Sequence, residues 1–332
     1  MLRCSWGIDQ RTQSGKPDHM QREAMKIEGI FPALPTPFTP TGELDEIGLA
    51  GLVQHVIAGG VHGLWVLGST GEFTSLDENQ RTKIIEICVQ ETEGRVPIIV
   101  GVGDLDERVM IRNSEEAERA GASACFATLP YYYTLDSAES IQYLRRIASA
   151  ISLPFVFYDN PFSTNVRLGH DAMLEIASIP NLVAIKESSG DFRRFIEIAE
   201  IVDGRAPAHL LQGIEQLAGP SLLLGATHGA VMALASAVPN LFVELYDTAL
   251  KGDVGRIRQL QKKVLRLCRL YEVKGAPTDG AFFAGLKAAL EVLGICGRYT
   301  ATPFAPMPTE KIREVETLLA EYERESSDAR NG

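Results

Sequence analysis

The chain has 332 residues, 45 % of them hydrophobic and 23 % charged, and a formal net charge of −11. A chain this long buries a large core without disulfides or a structural metal, and its acidic balance excludes nucleic acid as a principal partner, which needs a clustered basic face. No apolar run approaches the roughly 18 residues of a membrane-crossing helix, and Cys4, Cys88, Cys125, Cys268 and Cys296 form no CxxC pattern, as expected of reduced thiols in a cytoplasmic protein.

Residues 1–26 are polar and lack the apolar centre of a signal peptide. They read as a disordered leader, or as sequence upstream of a true start at Met20 or Met25. Eight short apolar runs follow, at 31–34, 63–67, 98–102, 124–128, 155–158, 183–186, 210–212 and 230–233. Amphipathic stretches lie between them, among them 77–93, 107–120, 138–150 and 191–202. Runs rich in Val, Ile and Phe, without alternation, fit strands buried on both faces. Strand and helix taking turns indicates parallel βαβ units. The pattern predicts an α/β fold, a (β/α)8 TIM barrel over 27–250 that carries the chemistry. An open doubly wound sheet is the rival, but the place of its glycine fingerprint holds Pro35, Thr36 and Pro37. Beyond residue 250, the runs 256–271, 282–293 and 309–322 have helical periodicity. They predict a C-terminal helical appendage over 251–325, whose apolar faces must be buried on the barrel or on a neighbour.

Active sites of such barrels lie at the carboxyl ends of the strands. There Lys186 closes the sixth run, inside an apolar stretch. A lysine in a dry pocket has a depressed pKa, and its free amine attacks carbonyls to form a Schiff base. The alternative is a strand-end lysine paired with Glu187. Tyr158 closes the fifth run, and its phenol can carry protons beside such an amine or sit as a barrel tyrosine bonded locally. After the second run, Gly68, Ser69, Thr70, Gly71 and Glu72 form either an anion-binding nest suited to a carboxylate or an ordinary helix-capping turn. Tyr131, Tyr132 and Tyr133 follow the fourth run and line a pocket, an interface or a helix. The six histidines show no HxH or HExxH spacing, so neither a metal nor another cofactor is expected.

Taken in series, these segments resemble the N-acetylneuraminate lyase and dihydrodipicolinate synthase family of class I pyruvate aldolases, from about Gly29 to about Leu319. GSTGE at 68–72 is similar to that family's carboxylate loop and LPYY at 129–132 to its relay tyrosines. YDNP at 158–161 is similar to its YNxP motif, and IKESSGD at 185–191 to its Schiff-base segment. The resemblance implies Lys186 as nucleophile, Tyr158 as acid/base, and Thr70, with Ser69 and the loop from Gly68 to Gly71, as holder of the pyruvate carboxylate. It implies that Ala33, Gly213 and Val231 wall the pyruvate pocket, and that Tyr132 reaches into a neighbouring subunit of a homotetramer to relay protons through Ser69.

Two departures bear on the second substrate. Ser163 stands where the synthase branch carries an arginine for the acceptor's carboxylate, which disfavours aspartate semialdehyde unless Arg167 or Arg193 swings in. Glu215 is one acid where the sialic-acid branch shows two, and 231–233 offers no hydroxyl. The leading expectation is an aldolase that joins pyruvate to an aldehyde or cleaves a 4-hydroxy-2-oxo acid, such as a 2-keto-3-deoxy sugar acid. A dihydrodipicolinate synthase with a substituted clamp, a Schiff-base dehydratase and a non-catalytic binding protein on the same scaffold are the alternatives.

Overall fold

A computed structural model describes residues 27–203, 208–275 and 277–331; the expected leader, with Met20, Met25 and Cys4, lies outside them. Eight strands run in chain order: β1 (Gly29–Pro32), β2 (Leu64–Val66), β3 (Ile98–Gly101), β4 (Ala124–Ala127), β5 (Phe155–Asp159), β6 (Leu182–Glu187), β7 (His209–Gln212) and β8 (Gly229–Met232). Each overlaps one of the eight apolar runs, with β1 beginning two residues before its run. All neighbours are parallel, in the order β1-β8-β7-β6-β5-β4-β3-β2. The sheet closes on itself through a parallel bridge between Ala33 and Trp65, with Leu34 N donating to Trp65 O at 3.0 Å. The fold is a TIM barrel.

Because strand side chains alternate in direction, the apolar runs feed two separate cores. Phe31, Trp65, Phe126, Val156, Ala184 and Leu211 pack together inside the barrel. Their strand neighbours, such as Ile30, Val66, Cys125, Phe157, Ile185 and Leu210, face the surrounding helices. Both faces are dry, which is why the runs read as continuously hydrophobic.

Aspartates start many of the helices. Asp77 and Asp136 form capping boxes with Gln80 and Glu139, opening Glu78–Thr92 and Ser137–Ala150. Asp106 and Asp191 cap Glu107–Ala120 and Phe192–Val202. After the eighth barrel helix, Pro239–Leu250, come Val254–Leu267, Asp279–Val292 and Ile312–Asn331. The middle one begins three residues before the apolar periodicity, because the Thr278 side chain accepts from Ala281 N. These helices pack on the barrel. Gln261 bonds Gly219 N and the carbonyl of Glu215, and Lys287 reaches Glu72.

Candidate active site

Register and alternation bring two functional groups side by side. Tyr158 pairs with Lys186 across β5 and β6. Each follows an inward-facing residue by two positions, Val156 and Ala184, so both side chains enter the barrel at its carboxyl end. Lys186 is 5 % exposed. Its Nζ lies 3.9 Å from the centroid of the Tyr158 ring and 4.9 Å from that of Trp65. Trp65 stacks on Phe126 at 3.8 Å, and both meet Tyr158 edge-on at 6.1 Å. The lysine thus stands on an aromatic floor. Burial holds its pKa below the ordinary lysine value; Tyr158 and Glu215 oppose that fall.

Glu187 is not its partner. One residue further along β6, it points out of the barrel, where it and Asp159 share the guanidinium of Arg194 at 2.7 and 2.6 Å. Burial pushes both carboxyls up, Asp159 and Glu187 alike, against the pull of Arg194. This clamp ties the ends of β5 and β6 together behind Tyr158 and Lys186. Among the described residues no carboxylate forms an ion pair with Lys186.

The loop after β2 is a short 3-10 turn, Ser69–Gly71. Gly68 permits close approach to the floor, since a Cβ there would lie 2.9 Å from Trp65 Nε1. Gly71 N and Glu72 N are spent on Gly68 O and Ser69 O at 3.0 and 2.9 Å. The donors left for an anion are therefore the N–H groups of Ser69 and Thr70 with their hydroxyls, and Gly71 N–H is not one of them. Thr36 Oγ1 donates to Gly71 O at 2.7 Å. Glu72 adopts a left-handed φ of 54°, unusual for a residue with a side chain. It is held there by Lys287 and by Ala301 N, which donates to its second oxygen at 2.8 Å.

The other sequence-predicted residues divide. Ala33 and Val231 belong to the inner core with Tyr158. Gly213 leaves space, because a Cβ there would sit 1.8 Å from Ser188 Oγ and 3.1 Å from Lys186 Cε. Glu215 is buried, and one of its oxygens accepts from Ala233 N at 2.9 Å, Leu234 N at 3.3 Å and Tyr271 Oη at 3.0 Å. That oxygen braces the end of β8. Ser163 is exposed at the mouth, its Oγ accepting from Asn160 Nδ2 at 2.8 Å; the same amide lies 3.3 Å from Tyr158 Oη. Tyr132 is 74 % exposed, edge-on to Tyr133, and is not among the groups gathered at the lysine. Arg167 and Arg193 pair with Asp191 and Glu197 and border a separate depression beside His170. Among the described residues no group of three or more His, Cys, Asp or Glu is arranged to hold a metal ion, and no helix is long and apolar enough to cross a membrane.

A cavity of about 450 Å³ opens beside Ser69 and Ser163, walled largely by aromatic rings. Of this wall the sequence pointed only to Tyr131, and the floor of Trp65 and Phe126 was not foreseen. The floor leaves a local signal, since each aromatic sits in an apolar strand run at inward parity. The phenylalanines of the wall leave none, because they come from distant segments.

A closed barrel presenting a buried lysine without an ion-pair partner among the described residues, beside a phenol, fits the class I aldolase kind. The sequence profile of the Dihydrodipicolinate synthetase family matches residues 26–322. A 4-hydroxy-tetrahydrodipicolinate synthase of Methanothrix thermoacetophila is 32 % identical over 298 residues, 89 % of this chain and 98 % of that protein. The dihydrodipicolinate synthase of Bacteroides thetaiotaomicron superposes with a TM-score of 0.85 at 32 % identity, covering 90 % of this chain and 100 % of that one. A prophage protein of Escherichia coli from the same family, solved in complex with pyruvate, has a TM-score of 0.82 at 28 % identity, covering 89 % and 98 %. The chain belongs to the dihydrodipicolinate synthetase family of class I pyruvate aldolases.

Proposed function

We propose that the protein is a metal-independent, Schiff-base-forming lyase that condenses pyruvate with an aldehyde or runs the reverse cleavage of a 4-hydroxy-2-oxo acid. The observation that carries this reading is the burial of Lys186 without a carboxylate partner. An ordinary lysine offers roughly one free amine in a thousand near pH 7.5, and desolvation raises that fraction. Nζ adds to the pyruvate C2 carbonyl, and water leaves to give an iminium. Loss of a methyl proton gives an enamine whose carbon attacks the aldehyde; hydrolysis then frees the lysine. The iminium nitrogen is the electron sink, so no metal or other cofactor is required.

Tyr158 moves the protons, with its Oη oriented by Asn160. Thr70 and Ser69 hold the carboxylate on the turn that Gly68 and Gly71 permit, while Ala33, Gly213 and Val231 shape the pocket around the methyl group. Glu215 contributes through the backbone it braces, and Ser163 faces the acceptor. The barrel, 27–250, is the catalytic unit, and 251–325 is a helical appendage laid against its mouth. Tyr132, exposed in one chain, completes the relay of an adjacent subunit in a homotetramer of a cytoplasmic enzyme.

The test is sodium borohydride reduction in the presence of pyruvate, read by intact mass. The wild type gains a stable adduct and Lys186→Ala does not; a wild type that stays unmodified sinks the reading. Tyr158→Phe retains the adduct and loses roughly 10²–10⁴-fold in turnover. Full turnover in that variant removes the phenol from the mechanism.

A further inference from the structure

We infer that the second substrate is an uncharged aldehyde with an aromatic or similarly flat, apolar body. The inference rests on the aldolase reading and concerns the cavity beside Ser69. At about 450 Å³ it falls within the usual range of small-molecule sites. One residue links it to the reacting centre, for Ser163 Oγ at its edge and Tyr158 Oη beside the lysine both meet the amide of Asn160. A carbonyl carbon at that edge would leave the rest of the aldehyde in the cavity.

Six of the twelve residues around the cavity are aromatic, and none is Lys, Arg or His. The rings come from five parts of the chain. Phe73 and Tyr131 follow β2 and β4 and meet edge-on at 6.3 Å. Phe282 and Phe283 open the helix Asp279–Val292, and Phe283 meets Phe304 edge-on at 4.9 Å. Phe162, also in the lining, is 74 % exposed. Rings fixed in edge-to-face pairs present a wall ready for another ring, which prefers the same offset or edge-on geometry.

The charges around the cavity weigh against an anionic acceptor. Glu72 is neutralised from behind by Lys287, which leaves the exposed carboxylate of Asp279 at the rim. An anionic acceptor would meet that like charge and no cation, since Arg167 and Arg193 are committed elsewhere. Arg81 lies behind Phe73, bonded to the carbonyls of Phe73 and Gly101. A polyhydroxylated acceptor would need a partner for each buried hydroxyl; Ser69, Thr74, Thr128 and Ser163 offer hydroxyls, and the five phenylalanines of the cavity offer none.

The experiment uses the full-length protein with saturating pyruvate. It measures kcat/KM for benzaldehyde, glyceraldehyde and aspartate semialdehyde in the wild type and in Phe162→Ala, whose exposed side chain is removable without opening the core. The expected result is a preference for benzaldehyde of at least about tenfold over either competitor. The ratio of benzaldehyde to glyceraldehyde should then fall at least about fivefold in the variant, a comparison in which the aldehydes' intrinsic reactivities cancel. Borohydride trapping of pyruvate runs alongside. A trapped adduct without the aromatic preference overturns the acceptor inference and leaves the aldolase standing. An unchanged ratio in Phe162→Ala overturns the assignment of this wall to the acceptor. Absence of any pyruvate adduct removes the aldolase reading and the inference with it.

Discussion

Lys186 and Lys287 are both almost completely buried, and they keep opposite company. Lys287 sits on the helix Asp279–Val292 with its Nζ bonded to Glu72 and, at 2.8 Å, to the carbonyl of Tyr299; the Phe38 ring lies beneath it at 4.4 Å. Lys186 has the aromatic bed without the anion. Burial lowers both pKa values, and only in Lys287 does a bonded carboxylate oppose the fall. Burial alone therefore does not make a lysine a nucleophile. A buried amine with a carboxylate is a strut, here one that fastens the C-terminal helices to the turn carrying Ser69 and Thr70. A buried amine without one stays available to a carbonyl.

The contrast breaks most visibly at the strut. Lys287→Met strands Glu72 as an uncompensated buried carboxylate and should cost about 3–5 kcal/mol of stability by denaturant unfolding. Adding Glu72→Gln should recover a good part of that loss, because the amide oxygen still accepts from Ala301 N. A single variant as stable as the wild type would show that the pair contributes nothing.

At the nucleophile the sign reverses. Lys186→Met removes an amine held in an unfavourable place and should raise stability by about 1–2 kcal/mol near neutral pH while abolishing the adduct. The pH dependence follows from the lowered pKa. Between its folded value and the ordinary 10.5 of the unfolded chain, the folded state binds fewer protons than the unfolded one, so wild-type stability rises with pH. The advantage of the methionine variant is thus greatest at pH values below the folded pKa. It shrinks as pH climbs toward 10.5, and a gain independent of pH would mean that Lys186 is not desolvated.

Much of this molecule is written locally. Short Val-, Ile- and Phe-rich runs at regular intervals specify eight strands dry on both faces, and aspartates before amphipathic stretches specify the helices between them. Within a strand, two-residue parity is enough to send Lys186 inward with Ala184, and Tyr158 with Val156. The family resemblance was legible because GSTGE, YDNP and IKESSGD are contiguous and fall on strand ends.

What the tertiary structure alone decided is which charges meet and which rings share a wall. Glu187 follows Lys186 directly, yet its partner is Arg194; Lys287 finds Glu72 across 215 positions of sequence. Phe162, Phe283 and Phe304 become neighbours of one cavity only when the last helices lie across the barrel's mouth. Coulomb attraction and ring packing depend on distance in space and on the exclusion of water. Hydrophobic periodicity records only which face of an element is dry, so it locates a buried amine without telling whether an anion waits beside it.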